Sequence, residues 1–268
     1  MKYDISVIIP VKSDCLLDQA LASISDDVEV IVSLNQPSQE VKVICDKWMK
    51  DTSRGFVLKI ITTDKVGMPV ALNNGVRAAR YDKIVVLDSD CMLEKNTLYF
   101  YQKQLNEHAF VRGSTKVKEK DGFWYRQTKL GVESVNEAMR NEAKLYGPSI
   151  AFQKKDFLSL KGYDEDILYG CDHKFSDSII EKGYAVHFCE QAVVWHAPIS
   201  YAIDRSSHIG YGRGNKVHDQ KSNSRSGLAF IFSKIAPSTL IHKLRKRGPG
   251  AMVRTVMQFV WMIRGYMA

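Results

Sequence analysis

Apolar and polar positions fall into blocks along the first half of the chain, and each block has its own period. "ISVIIPV" (5–11), "VEVIVSL" (28–34), "FVLKIIT" (56–62) and "KIVVLD" (83–88) are near-continuous apolar runs. Such runs predict strands buried on both faces. Between them, apolar residues recur at helical spacing. "CLLDQALASIS" (15–25) has Ser13 or Asp14 placed to cap it, and "SQEVKVICDKWMKD" (38–51) starts from Ser38 after Pro37. "PVALNNGVRAAR" (69–80) carries Pro69 in its first turn, and "EKNTLYFYQKQLNE" (94–107) follows the fourth strand. Strands alternating with helices predict βαβ units, and so an α/β fold with a mostly parallel sheet flanked by helices. In open sheets of this kind, ligands bind beyond the carboxyl ends of the strands. Three strand ends deliver polar groups or turns to one rim: Pro10-Val11-Lys12, Asn35 and Asp88-Ser89-Asp90.

The second half is less regular. "FVRGSTKVK" (110–118) predicts a strand and "WYRQTKLGVESVNEAMRNEAKLY" (124–146) a mostly helical stretch. "SIAFQ" (149–153) predicts a short strand with a helical turn after it at 155–160. "HKFSDSIIEKG" (173–183) predicts an amphipathic helix stopped by Gly183. "YAVHF" (184–188) and "AVVWH" (192–196) read as two short strands, and beyond His196 the chain turns glycine-rich and basic.

The composition, 45% hydrophobic and 25% charged, excludes a disordered or collagen-like chain. A formal net charge of +8 over 268 residues points to anionic partners: phosphorylated substrates, anionic lipid or nucleic acid. The interleaved aromatics of an RNA platform are not evident, so nucleic acid is not an expected partner. Cys15, Cys45, Cys91, Cys171 and Cys189 form no CxxC pair and suit neither zinc nor a disulfide framework. They are expected to be reduced, buried thiols of a cytoplasmic protein. The apolar stretch of the N-terminus is too short for a signal peptide, and no segment reaches the ~20 apolar residues of a membrane span.

The candidate chemistry concentrates at Asp88-Ser89-Asp90. Two carboxylates at i and i+2, where a strand opens into a turn, can face one hard cation such as Mg2+ or Mn2+. The plainer reading is that both cap the helix starting near Glu94. A calcium loop is excluded, because Met92, Leu93 and Tyr99 would occupy its ligand and glycine positions. A phosphatase with Asp88 as nucleophile is a rival, although that arrangement opens a domain and this motif follows three strands.

"SVIIPV", "GMPVALNNG", "VVLDSD", "GYDEDILYGCDHKFSDSIIEKGY" and "VVWHAP" occur in one order from about residue 4 to 200. This ordered set resembles the inverting glycosyltransferases of family 2. The resemblance implies a GT-A, Rossmann-like fold and transfer of a sugar from a nucleotide diphosphate sugar to a hydroxyl of a glycan or lipid-linked acceptor. It implies that Pro10, Val11 and Asn35 hold the nucleobase, with Asn35 where Asp is usual. "GMPVALNNG" keeps Gly67, Asn73 and Gly75 but puts Leu72 where Arg is usual, so a phosphate contact is missing or comes from Lys65. Asp88 and Ser89 fall at the donor nucleoside, Asp90 at the divalent metal, Mn2+ or Mg2+, and His196 at a second metal ligand. Asp172 falls on the general base, with Cys171 where Glu is common and Lys174 where a second acid often sits. Asp164 and Glu165 order the adjoining loop. An alternative within the same resemblance is a catalytically inactive module that binds a nucleotide sugar or a membrane surface.

Residues 1–200 are thus expected to form the glycosyltransferase domain, with a nucleotide-sugar half at about 1–118 and an acceptor half at about 119–200. "SYAIDRSSHIGYGRGNKVHDQKSNSRSG" (200–227) resembles the "YGRG" segment of many such enzymes. Residues 201–226 are expected to be a flexible basic lid whose Arg213 or Arg205 meets the donor diphosphate. Residues 227–268 mix apolar patches with Lys243, Arg245, Lys246, Arg247, Arg254 and Arg264. They predict an amphipathic, basic helical extension that either touches anionic membrane from the inner, cytoplasmic face or docks on the domain.

Overall fold

The computed structural model describes residues 2–14, 16–138, 144–145 and 147–268. They form two compact units that interleave along the chain. The first comprises residues 1–116, 138–165 and 172–197, and the second 117–137, 166–171 and 198–268.

The first unit is built on one eight-stranded sheet. Its parallel half consists of β1 (Lys2–Val11), β2 (Asp27–Asn35), β3 (Val57–Thr63) and β4 (Lys83–Val86), paired in the order β3-β2-β1-β4. Pairs β1–β2, β2–β3 and β1–β4 are all parallel. The remaining strands are β5 (Cys91–Leu93), β6 (Phe110–Val117), β7 (Ile150–Gln153) and β8 (Val186–His196), which continue the order as β7-β6-β8-β5. Here β4–β7, β6–β7 and β5–β8 are antiparallel, so the parallel sheet expected from the apolar runs accounts for β1 to β4 and an antiparallel half completes it. The two short strands expected at 184–188 and 192–196 are one continuous strand, β8.

Helices lie where the 3.6-residue period places them: α1 (Leu17–Ala22), α2 (Gln39–Lys50), α3 (Met68–Ala78), α4 (Thr97–Gln104), α5 (Phe123–Ala138), α6 (Lys154–Ser159) and α7 (Cys171–Glu181). Ser38 caps α2 by accepting from the Val41 N–H. The stretch 139–143, expected to prolong α5, and Cys15, expected to open α1, lie outside the described residues. Ile5, Ile8, Ile9, Val30, Ile31, Val85 and Leu87 are fully buried or nearly so, as strands covered on both faces require. The free cysteines Cys45, Cys91, Cys171 and Cys189 are all buried.

In the second unit, residues 201–226, expected as a flexible lid, are helical from Tyr201 to Ser222 (α8). Gly210, Gly212 and Gly214, which would ordinarily weaken a helix, serve close packing here. A Cβ at Gly212 would stand 2.1 Å from the Met262 carbonyl oxygen, and one at Gly210 would meet the Tyr169 ring at 2.4 Å. The extension folds as α9 (Ser226–Ser233), α10 (Pro237–Arg247) and α11 (Pro249–Met267). Helix α11 buries Ala251, Thr255, Trp261 and Met262, so this part of the extension docks on its own unit. Among the described residues no helix is long and apolar enough to cross a membrane.

Candidate active site

The rim at the end of β4 begins with a register constraint. Leu87 N–H donates to the Ile8 carbonyl at 3.0 Å, which keeps the chain beside β1 for one residue past β4. Cys91 N–H then bonds the Asp88 carbonyl at 3.0 Å, closing a turn over 88–91. The turn delivers the chain into β5, which pairs with β8 so that Cys91 faces His196. Ala197 N–H locks the same corner by donating to the Asp90 carbonyl at 3.0 Å.

Two elements a hundred residues apart therefore bring Asp90 and His196 together, with Oδ2 and Nε2 3.5 Å apart. His196 Nδ1 lies 2.7 Å from the Ala197 carbonyl oxygen, which can only accept, so Nδ1 carries the proton. Nε2 is then the ring nitrogen that faces Asp90 and the one through which this histidine could ligate a metal. The Cys91 thiol lies within 4.8 Å of both ligand atoms. It donates to Asp90 Oδ1 at 3.4 Å, and burial, Asp90 and Asp88 push its pKa well up. The remaining donors are one carboxylate, a ligand that suits hard cations, and one imidazole nitrogen, which is less selective.

Four carboxylates share this corner. Burial first, then Asp90, Asp172 and Asp14, push the Asp88 carboxyl up to about 7, against the pull of His196. Asp14 is also raised, by burial and by Asp90, although it accepts from the Leu16 N–H at 2.9 Å. Ser89 Oγ donates to Asp14 Oδ2 at 3.4 Å, tying the middle of the D-S-D turn to the end of β1. Asp14 reads from sequence as a helix cap, and it does hold the entry to α1. Its second position, beside Ser89, follows only once β1 and β4 are seen to be neighbours.

Asp172 occupies the first turn of α7 and is half-buried. Its Oδ2 accepts from the Gly147 N–H at 3.1 Å, while Ser176 Oγ donates to its main-chain carbonyl at 2.9 Å. Among the described residues no hydrogen bond engages Oδ1 of this carboxylate.

The remaining candidates hold loops. Asn35 is buried, gives both amide hydrogens to Thr63 Oγ1 (2.6 Å) and the Lys65 carbonyl (2.8 Å), and accepts from Gly67 N–H (2.8 Å). It fixes the 63–67 loop at the start of α3. Asn73 is 2% exposed. It grips Tyr163 through both main-chain groups, at 2.9 and 3.0 Å, and reaches Glu165 at 3.1 Å. Glu165 also takes Lys65 at 3.3 Å and lies 3.8 Å from Arg77; these partners, Asn73 foremost, hold its carboxyl below the usual range. Pro10 and Val11 end β1 and are buried. Arg213 lies exposed on α8, in the second unit.

Three comparisons bear on this arrangement. The family described as Glycosyl transferase family 2 matches residues 6–163. The chain is 24% identical over 249 residues to the Escherichia coli UDP-Gal:alpha-D-GlcNAc-diphosphoundecaprenol beta-1,3-galactosyltransferase, covering 78% of this chain and 86% of that one. Among solved structures it is similar to the mannosyltransferase PcManGT of Pyrobaculum calidifontis, determined with GDP-Man and Mn2+, at a TM-score of 0.66, with 17% identity, 100% of this chain and 87% of that one. It is also similar to residues 1–349 of S. aureus TarS with UDP-GlcNAc, at a TM-score of 0.57, with 13% identity and 99% and 89% coverage.

Proposed function

The chain belongs to glycosyl transferase family 2 and has the GT-A fold, and from that premise we propose that it transfers a sugar, with inversion, from a nucleotide diphosphate sugar to a hydroxyl of a lipid-linked glycan. The observation that carries this reading is the gathering of Asp88, Asp90, His196 and Asp172 into one electrostatic cluster at the strand-end rim. The family match favours transfer over a phosphatase with Asp88 as nucleophile and over a silent binding module. The E. coli relative makes UDP-sugars the first donors to try, and its diphosphoundecaprenol acceptor makes a lipid-linked sugar the first acceptor.

Asp90 and His196 are the residues that would hold a divalent metal, Mn2+ or Mg2+. Such an ion neutralises charge on a departing diphosphate. Asp88 and Ser89 are assigned to the donor nucleoside, together with Pro10 and Val11 at the end of the neighbouring strand β1. Asn35 and Asn73 set the loops that border this space, and Lys65, held by Glu165, carries a positive charge on the 63–67 loop. Arg213 is proposed as a donor-phosphate contact from α8.

Asp172 is the general base. Its unengaged oxygen accepts the proton of the acceptor hydroxyl as that oxygen attacks the anomeric carbon. The bond from the anomeric carbon to the diphosphate oxygen breaks on the opposite face, so one displacement inverts the configuration.

Asp172→Asn tests this assignment. The amide oxygen can still accept from Gly147 N–H, so the local fold should persist. The expected result is a drop in turnover of about 10²–10⁴ with donor affinity unchanged, measured with UDP-sugar, Mn2+ and a polyprenyl-diphosphate-linked acceptor. Near-wild-type turnover would remove Asp172 from the role.

Peripheral contact with anionic membrane from the cytoplasmic side completes the proposal. Its support is the exposure of Phe230, Phe232, Ile241 and Leu244 beside the exposed cations Arg245 and Lys246.

A further inference from the structure

The cations of the C-terminal helices divide into two sets. Arg245 and Lys246 are exposed, whereas Lys243 and Arg247, one turn apart on α10, are half-buried, as is Lys234 at the end of α9. Residues four apart lie on one helix face, so Lys243 and Arg247 present like charges side by side. Among the described residues none of these three has a carboxylate within ion-pair distance. Arg254 of α11 adds to the same field, but the Nε/Nη2 edge of its guanidinium is already bound to the Asp204 carboxylate, at 2.8 and 2.7 Å. The Lys234 ammonium lies 4.4 Å from the centre of the Phe230 ring, an apolar neighbour rather than a counter-charge.

Withdrawing cations from water without a counter-charge is costly, and clustering them raises that cost. The consequence shows in their acidity. Burial, then Arg247, Lys234 and Arg254, push Lys243 down to about 8. Burial and Arg254 lower Lys234, and burial lowers Arg247 against the opposing pull of Glu137. A multiply charged anion with several acceptor oxygens would relieve all three cations at once. The apolar side chains that flank them, Phe230, Phe232, Ile241 and Leu244, are exposed. Hydrocarbon and concentrated negative charge in one ligand describe a prenyl diphosphate.

We propose that Lys234, Lys243 and Arg247 form a binding site for the diphosphate group of a prenyl-linked acceptor. The proposal deepens the lipid-linked reading above and rests on it. It differs from general adhesion to anionic lipid, in which the exposed Arg245 and Lys246 would count for at least as much.

The test uses the full chain and farnesyl diphosphate, titrated calorimetrically in EDTA so that metal-dependent donor binding is silent. Wild type should bind. Lys243→Gln with Arg247→Gln should weaken binding at least about tenfold, as loss of two charge-assisted contacts requires. Arg245→Gln with Lys246→Gln, which removes the same net charge, should stay within about twofold. Inorganic pyrophosphate should bind with the same ranking but less tightly. Phosphatidylglycerol vesicles should lose affinity equally for both pairs. Lack of wild-type binding, equal loss of farnesyl diphosphate binding by both pairs, or selective loss of vesicle binding by the first pair would each overturn the site. If the first pair fails to fold by thermal melt, Lys234→Gln alone supplies the reading, with the same expected direction. A parallel titration of UDP with Mn2+ separates the two readings, since intact donor binding alongside any of these failures sinks this site and spares the transferase.

Discussion

Asp90 carries more of the proposed chemistry than any other side chain, because its carboxylate faces His196 while its main chain holds the corner through Ala197. Asp90→Ala removes the carboxylate and keeps the main-chain bond. The fold should survive, and Mn2+-dependent binding of a nucleoside diphosphate should fall by about 100-fold or more, since disturbing even the groups that orient metal ligands costs 10–100-fold. Calorimetry with UDP and Mn2+ checks this, and unchanged affinity would remove Asp90 from the metal. The D-S-D turn was legible in sequence because an apolar run ends abruptly in two acids at the close of a fourth βαβ strand, a context that tells against the plainer capping role. Asp14 was legible only as a cap, because its relation to Ser89 crosses two strands that are adjacent in space and 75 residues apart in the chain. Asn35 and Asn73 stood out by resemblance. What sequence could not reveal is how much of their hydrogen bonding goes to their own chain, since those partners are loops whose positions depend on the whole sheet.

The elements most legible from the chain were those whose period is long and clean, β1 to β4 and the helices between them. Strand β5 was not, because three residues carry no period and its pairing depends on β8. Helix α8 was masked by Gly210, Gly212 and Gly214, which local propensity counts against a helix and tertiary packing requires. Two substitutions test such packing. A Cβ at Gly75 in α3 would stand 2.4 Å from Cγ2 of Ile8, a fully buried β-branched residue with no room to turn. Gly75→Ala should destabilise the first unit by about 1–3 kcal/mol despite the better helix former. In urea unfolding, a neutral or stabilising result would mean that α3 lifts off β1 freely. The second test concerns charge. Burial disfavours the ionised form of Asp204, but bonds from His208 and Arg254 outweigh it and hold its pKa at about 2. The carboxylate therefore adds stability, fully present above about pH 4 and lost as pH falls through 2, on the order of 2 kcal/mol in all. Asp204→Asn should flatten that acid limb and lower stability at neutral pH. An unchanged pH profile would deny the pair its role in joining α8 to α11.

At the scale of the molecule, the C-terminal extension is both a structural and a surface element. Deleting residues 227–268 would uncover the surfaces that Trp261, Met262 and the close α8–α11 crossing now bury. The truncated chain should aggregate, as sedimentation would show, while exchanging only the exposed Arg245 and Lys246 for Gln should leave it soluble and weaken vesicle binding. A soluble, donor-binding truncation would mean that α11 is dispensable to its unit. The pairing of β5 with β8 reaches further, into how the protein is made. Ribosomes release the chain from its N-terminus at about 5–20 residues per second. Strands β1 to β4 can assemble early, but Asp90 waits with its strand unpartnered until His196 emerges, more than a hundred residues later. Contacts so distant in sequence close slowly. A nascent chain stalled before residue 196 should hold a nearly complete parallel sheet but lack the proposed pairing of Asp90 with His196, so Mn2+ binding measured on stalled chains of increasing length should strengthen only once His196 has emerged.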